Sequence, residues 1–558
     1  MKNFFKSVSQ SETTLRTAQF VIGAIAIAFV FWKLQFSTSA ICCGDFDGYY
    51  HVKWSGILWE SIKHRSLKPN FPWLPLTTLN PRDYVDHHLL FHILQIPFVR
   101  SADPRIGAKI SSIIFGGLAV LSCYWLLLRY RIRYLLVWLI ALLACSAPFL
   151  FRMNMAKAPP LAILFLVIGI HFIFTRKYWP LLIVALLFTW AYDMFLLLIV
   201  VVCIWVGVIA WTEHRFEWRP LMWVLLGTAA GLVINPYFPH NLQLLYEHAK
   251  IKLTASEFNT KVGSEWYPYD SWEFLGNSVV ACVAMVVGYI AFDPSEKNRS
   301  QYPLFFLIFS TGLMVMTARW KRIAEYWPPF AVMFAAFSLQ PWFDGTRSWL
   351  TRLPNDVLQE LQPFFDRDMK IVIKSETDAH ELIRTLGVAI VSVLIGTALF
   401  FNLRSTVKEI GQSEEHSHYK AGALWLRANV PAGERIFNTD WDDFPRLFYY
   451  DPTHYYISGL DPSYLFDKNP DLSQLYDRIT LGKEDDPGPL IRDRFGARYI
   501  FSDNGHHEFF ASANNSGWFD IVYEDEQCTI MHIRDQKQSN ETAEPPLDQP
   551  SGDETPPK

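Results

Sequence analysis

The sequence predicts a polytopic α-helical membrane protein, with about eleven spans, carrying a small soluble α/β domain near its C-terminus. Three observations carry this prediction. Residues of hydrophobic type make up 51% of the 558, and they collect in blocks long enough to cross a bilayer. Lys and Arg gather in alternate connections between those blocks, as multi-pass topology requires. Beyond residue 403 the pattern changes to short strand-like runs that alternate with helical ones.

Taken in order, residues 1–16 form a cytoplasmic N-terminus. Lys2, Lys6 and Arg16 precede the first apolar block without a convincing small-residue cleavage site, which reads as an uncleaved signal anchor. The predicted spans are 17–36, 106–128, 134–151, 159–175, 178–192, 194–211, 220–235, 276–292, 302–318, 325–340 and 385–402. They lie in a membrane domain, 17–402, with long outer loops at 37–105 and 236–275. Residues 403–535 form the outer α/β domain, and the Pro- and acid-rich tail 536–558 is expected to be disordered.

Orientation follows from the cations. With the N-terminus inside, inner connections hold Arg129, Arg131 and Arg133, then Arg176 and Lys177, Arg215 and Arg219, Lys297 and Arg299, and a basic segment over 341–384. An odd number of spans then puts the C-terminal domain outside. The expected location is the inner (cytoplasmic) membrane, with the C-terminal domain periplasmic. Arg152, Lys157, Arg319, Lys321 and Arg322 are exceptions on the outer side. They read either as anchors at the interface or as holders of an anionic ligand near the membrane surface.

Composition excludes some classes. A net charge of −4 gives no basic footprint, so nucleic acid is not a partner. Seven cysteines, four of them (Cys123, Cys145, Cys203, Cys282) inside apolar runs, show neither C-x-x-C spacing nor a disulfide framework. There is no Gly-rich phosphate loop, no H-E-x-x-H and no G-x-S-x-G.

The chemistry concentrates where the first outer loop opens, at Asp45, Asp47, Tyr49, Tyr50 and His51. Two alternating Asp residues suit sharing a divalent cation, activating an acceptor or binding a cationic group. A polar loop leading away from a membrane helix is the plainer reading. Residues 54–63 have amphipathic spacing, with Trp54, Ile57, Leu58 and Ile62 on one side, and are expected to lie flat on the membrane. After Pro69, Pro72, Pro75 and Pro81 comes Asp86, followed by His87, His88 and His92. His88 and His92, at i and i+4, either share a metal or are hydrogen-bonded; Asp86 and His92 do not share one helix face cleanly.

Further on, Arg152 to Pro160 forms a short outer turn with a helix start at Pro159 and Pro160. The second long loop carries Glu257, Glu265, Trp266 and Asp270, either as an aromatic belt with solvated acids or as a mobile loop that brings a carboxylate over a site. In the α/β domain helices are expected at 419–429, 441–450 (capped by Asp440), 490–495 and 506–513. Strands are expected at 435–437, 455–457, 498–501, 519–523 and 528–533.

With these pieces together the chain resembles the GT-C superfamily of polytopic glycosyltransferases, and within it the catalytic subunit of oligosaccharyltransferase and its bacterial and archaeal relatives. The resemblance implies transfer of a sugar from a polyprenyl-phosphate-linked donor to a protein or glycan acceptor on the outer membrane face. It rests most on Asp45, Asp47, Tyr49, Tyr50 and His51. It implies that the first-loop acid, Asp45 or more so Asp47, binds a divalent metal (Mg or Mn) and positions or activates the acceptor, with His51 as a further catalytic residue and Tyr50 as a substrate contact. It implies that Arg319 or Arg322 meets the donor phosphate, with Arg152 and Lys157 as further substrate-binding cations, and that Glu265 or Glu257 is the loop carboxylate. The family's W-W-D-x-G acceptor motif is echoed at Trp441 and Asp442, without the second Trp and the Gly, so transfer to a sequon Asn is not implied. The family's second acidic motif is missing from 152–160, which leaves Asp86, His88 or Asp193 to complete a metal site with Asp47. Two other classes stay open: a lipid or sugar transporter or flippase, and a non-catalytic membrane scaffold. A transporter would be expected to hold coupling residues near the bilayer midplane and to show repeated halves, and neither is evident.

Overall fold

The computed structural model describes residues 2–41, 46–101, 103–254, 264–294, 301–343 and 376–538. Asp45, Glu257, the vicinal Cys42 and Cys43, Lys297, Arg299 and most of the basic segment and of the tail lie outside the described residues.

Each apolar stretch predicted above falls on a helix. Among the described residues, five helices are long and apolar enough to cross a membrane: Thr13–Gln35, Pro104–Arg129, Asp193–Glu213, Gln301–Arg319 and Thr385–Gly411. Counting each of two bent pairs as one span raises the number to seven, and the other four predicted stretches fall on shorter apolar helices. The stretch predicted as one span over 134–151 is Leu135–Ala144 followed by Ala147–Met153, bent by 83°. Its break follows from the residues: Ser146 caps the second helix by accepting from Phe149 N–H, and Pro148 sits in the first turn. Ser271–Asn277, whose start Asp270 caps, and Val279–Ala291 meet at 86°. Pro159–Phe174, Pro180–Ala191, Arg219–Val233 and Trp327–Phe343 are apolar but only 12 to 17 residues long.

The helices pack around one apolar core that includes Phe31, Tyr124, Leu142, Leu166, Trp205 and Phe330. Small residues let backbones approach. A Cβ on Gly227 would lie 2.3 Å from the Leu182 carbonyl oxygen, and one on Gly231 2.8 Å from Thr189. Helix Arg219–Val233 thus presses two glycines, one turn apart, onto Pro180–Ala191.

The C-terminal region contains a five-stranded mixed sheet: β1 (Arg435–Asn438), β2 (Tyr455–Tyr456), β3 (Tyr499–Asp503), β4 (Phe519–Glu524) and β5 (Cys528–Ile533), in the order β2-β1-β3-β5-β4. β1 runs parallel to β2 and β3, whereas β5 is antiparallel to β3 and β4. The predicted strands and helices are present. Helices Ser463–Lys468 and Pro470–Thr480 were not foreseen.

The largest departure concerns the first loop. Trp54 does not rest at a membrane boundary. It is fully buried in a second apolar core that joins Tyr50, Phe71 and Tyr84 of the loop to Leu426, Phe444, Phe448 and Phe501 of the sheet region. Polar stitches hold the same seam: Trp73 Nε1 donates to the Pro452 carbonyl at 2.7 Å, Tyr456 N–H donates to the Trp73 carbonyl, and Lys468 pairs with Asp83 at 2.9 Å. The amphipathic pattern was real, but its apolar side meets protein instead of lipid. The first loop and the sheet region therefore form one packed body.

Candidate active site

Helix Asp47–Lys63 begins at Asp47, seven residues before the predicted start at Trp54. Asp47, Tyr50 and His51 stand at i, i+3 and i+4, so one helix face carries all three. That face lines a cavity between the helix ends and the sheet region. The cavity also receives Arg152 from the bent helix Ala147–Met153, Lys157 from the turn before Pro159–Phe174, and Tyr192 and Asp193 from the break before Leu196–Glu213. Glu265 and Trp266 enter from the short turn Ser264–Trp266, and Arg322 and Glu325 from Lys321–Glu325. Asp461, Ser463 and Tyr464 close it from the sheet region.

Charges are densely paired there. Lys157 Nζ lies 2.8 Å from Asp47 Oδ2. Arg152 donates from Nε to Glu325 Oε1 at 2.6 Å and from Nη2 to Glu265 Oε2 at 3.0 Å. Arg322 donates from Nη1 to Glu265 Oε1 at 2.5 Å and from Nη2 to the Tyr192 hydroxyl at 2.6 Å. Both oxygens of Glu265 are thus held by guanidinium groups. Burial would raise its carboxyl pKa, but Arg322, Arg152 and Lys157 outweigh that and hold it well below the usual carboxylate range. Arg322 Nε is buried and has no hydrogen-bond acceptor among the described residues. A buried cationic donor without an acceptor is costly unless a ligand supplies one.

Behind the cavity wall lies a chain of buried polar groups. His51 Nδ1 is 2.7 Å from His92 Nε2, and His92 Nδ1 is 2.9 Å from Asp86. Trp54 Nε1 donates to Asp86 Oδ2 at 2.9 Å and His88 N–H to Asp86 Oδ1 at 3.0 Å. Burial raises the Asp86 pKa, but His92 and Trp54 bring it below the ordinary value, so it stays ionised. Burial, with His92, Lys157 and His87 nearby, pushes His51 well below the ordinary imidazole value, so it is neutral. His88 ring-stacks on Tyr192 with centroids 5.4 Å apart, and burial, with His87 and Arg322 nearby, pushes it well below the ordinary imidazole value.

Of the residues expected to act together, Asp47, Tyr50, His51, Arg152, Lys157, Glu265, Arg322 and His88 converge on the cavity. Others do not. Arg319 ends helix Gln301–Arg319 exposed, over the Trp320 ring, while the following turn carries Arg322 inward. Trp441 and Asp442 lie outside the cavity lining, because Asp440 caps the turn Trp441–Asp443 and leaves Asp442 exposed. Asp86 reaches His92 although the pair does not share a helix face, because Asp86 precedes helix Leu89–Val99 in an irregular turn.

The expected divalent metal does not fit these donors. Asp86 gives its oxygens to His92, Trp54 and a backbone amide, Asp47 is paired with a lysine ammonium, and His88 stacks on Tyr192. Among the described residues no three His, Cys, Asp or Glu side chains group as ligands for an ion. The protein–protein bonds of Asp86 are the reason, and no step below runs through a metal. Sequence reasoning did not single out Tyr192, Asp461, Tyr464 or Glu325 as site residues. Glu325 carried a signal, an acid three residues after Arg322 at a predicted membrane edge.

No protein-family model matches the sequence, and no curated protein matches it by sequence. Solved structures do resemble it. One is the Archaeoglobus fulgidus oligosaccharyltransferase tethered to an acceptor peptide containing the NVT sequon (TM-score 0.57, 10% identity, covering 91% of this chain and 74% of that one). Another is ArnT from Cupriavidus metallidurans bound to undecaprenyl phosphate (TM-score 0.53, 13% identity, covering 92% and 97%). A third is the mycobacterial arabinofuranosyltransferase AftD (TM-score 0.51, 14% identity), of which this chain spans 40%. The chain therefore has a GT-C-like fold. At these identities the likeness concerns the fold alone, and the apolar helices mark a multi-pass membrane protein.

Proposed function

We propose that the protein is a membrane glycosyltransferase that moves a sugar from a polyprenyl-phosphate-linked donor to an acceptor at the outer face of the inner membrane, with its sheet region on that side. The observation that carries this reading is the convergence of Arg152, Lys157 and Arg322 on one cavity with Asp47, together with the unpartnered Nε of Arg322. Glu265 sits between two guanidinium groups as an anion would. A phosphate entering from the bilayer exchanges with that carboxylate and takes the Arg322 Nε–H as well. As the bond from sugar to phosphate breaks, negative charge grows on the leaving oxygen, and donors already aimed there lower the barrier. Asp47, fixed by Lys157, orients the acceptor in front of the sugar, and Trp266 and Trp320 wall the cavity. Tyr50 packs into the loop core and sets the helix that presents Asp47.

The deciding experiment compares lipid-linked sugars and glycoconjugates by mass spectrometry in cells with and without the gene. Loss of the gene should leave a sugar-charged polyprenyl phosphate unspent and one glycoconjugate missing. Asp47→Ala at normal expression should reproduce that pattern. An unchanged lipid-sugar pool in the deletion sinks the reading.

A further inference from the structure

We propose that His51 is the base that takes the proton of an attacking acceptor hydroxyl, and that His92 and Asp86 form the relay behind it. This rests on the glycosyl-transfer reading above.

The hydrogen bonds give the relay its direction. An ionised Asp86 only accepts, so the proton between it and His92 sits on His92 Nδ1. In the proposed resting arrangement the other nitrogen of His92, Nε2, accepts, and the 2.7 Å contact is made by the hydrogen on His51 Nδ1. The lone pair of His51 is left on Nε2, the ring nitrogen on the opposite side from buried His92. His51 lines the cavity, and its Nε2 has no hydrogen-bond partner among the described residues. His92 and Asp86 are 0% and 2% exposed, and among the described residues the His92 ring meets the cavity lining through His51.

A lone buried imidazole in this place would be a poor base. The groups that face it are His87, His88 and His92 from the first loop and Lys157 from the neighbouring turn, none of which welcomes a new positive charge. The relay solves this. As the acceptor oxygen bonds to the anomeric carbon, the bond from that carbon to the donor phosphate oxygen breaks and its electron pair leaves with the phosphate. The acceptor proton moves to His51 Nε2, the Nδ1 proton of His51 moves to His92 Nε2, and the positive charge comes to rest against the Asp86 carboxylate. Asp47 is less suited to the task, since Lys157 already neutralises it. His51 is thus catalytic, whereas His92 and Asp86 are positioning residues.

The test uses the full chain in detergent, with a polyprenyl-phosphate-linked sugar pool extracted from the host membrane as donor. His51→Ala should lower transfer about 10²- to 10⁴-fold, the usual worth of a general base, leave thermal unfolding and undecaprenyl phosphate binding intact, and recover rate with added imidazole. Asp86→Asn should slow transfer and move the acid limb of the kcat/KM profile to lower pH, because the relayed cation loses its counter-charge. A second measurement needs no substrate. Diethylpyrocarbonate acylates neutral, accessible imidazole nitrogens, so peptide mapping should find His51 labelled ahead of His92, with the half-labelling pH lower in Asp86→Asn. Full transfer by a folded His51→Ala, or pH profiles unmoved by Asp86→Asn, overturns the relay while leaving the glycosyl-transfer reading in place. If the wild type transfers no sugar yet His51 labels as described, it is the glycosyl-transfer reading that fails, and the proton assignment falls with it.

Discussion

Arg322 and Glu265, 57 residues apart in the chain, meet with Nη1 2.5 Å from Oε1. The same carboxylate reaches Arg152 through its other oxygen at 3.0 Å. Three segments that share no local signal are tied together by one acid, and the cavity takes its shape from that knot.

From this follows a choice between two arginines. Arg322→Ala should reduce sugar transfer about 10²- to 10³-fold, the cost of losing one donor to a developing oxyanion, and raise KM for the lipid donor. Arg319→Ala should leave both unchanged, since that side chain is exposed and outside the cavity lining. Initial rates over a range of donor concentration check this.

The knot also sets an acid response. The Glu265 pKa is depressed in the folded protein, so its contribution to stability is complete above the unfolded carboxyl value of about 4.3. It is lost only as pH falls below that value and through the lower folded one. The difference in thermal unfolding between wild type and Glu265→Gln should therefore stay constant from neutral pH down to the unfolded value and shrink below it.

Trp54→Ala should destabilise the protein by about 3–5 kcal/mol, the range for deleting a large buried aromatic. It opens the core shared by the first loop and the sheet region and takes a donor from buried Asp86. Limited proteolysis should then release or nick the first loop before the membrane helices are attacked.

Helix contacts make a separate test. Gly231→Leu should reduce the yield of folded protein, because a side chain there collides with Thr189 and the Leu186 backbone. Gly207→Leu, where a Cβ would meet nothing within 4 Å, should be tolerated. Size-exclusion profiles in detergent distinguish the two.

Much was legible in the residues themselves. Each of the predicted apolar blocks fell on a helix, since burying or lipidating such a face needs no partner of known identity. Alternation with turn residues located the five strands, and the acids beside the first span marked the wall of the cavity, because charge next to hydrocarbon is costly unless it is used. That Asp47 to His51 lie on a helix was shown only by the structure. What the chain's own order could not reveal was which distant groups meet. Arg319 and Arg322 look equivalent along the sequence, and the turn Lys321–Glu325 alone sends one outward and the other into the cavity. Trp54 looked like a lipid-facing residue because an amphipathic pattern reports that a face is buried and not against what. Asp86 and His92 looked mismatched because helix spacing was applied across a turn. The sequence by itself determined the apolar helices, the five strands and the place in the first loop where polar chemistry gathers, all properties of neighbours a few residues apart. The tertiary structure decided the ion knot, the His51–His92–Asp86 chain and the commitment of Asp86 to protein partners, because hydrogen bonds and charge pairs depend on distances in space that no spacing along the chain encodes.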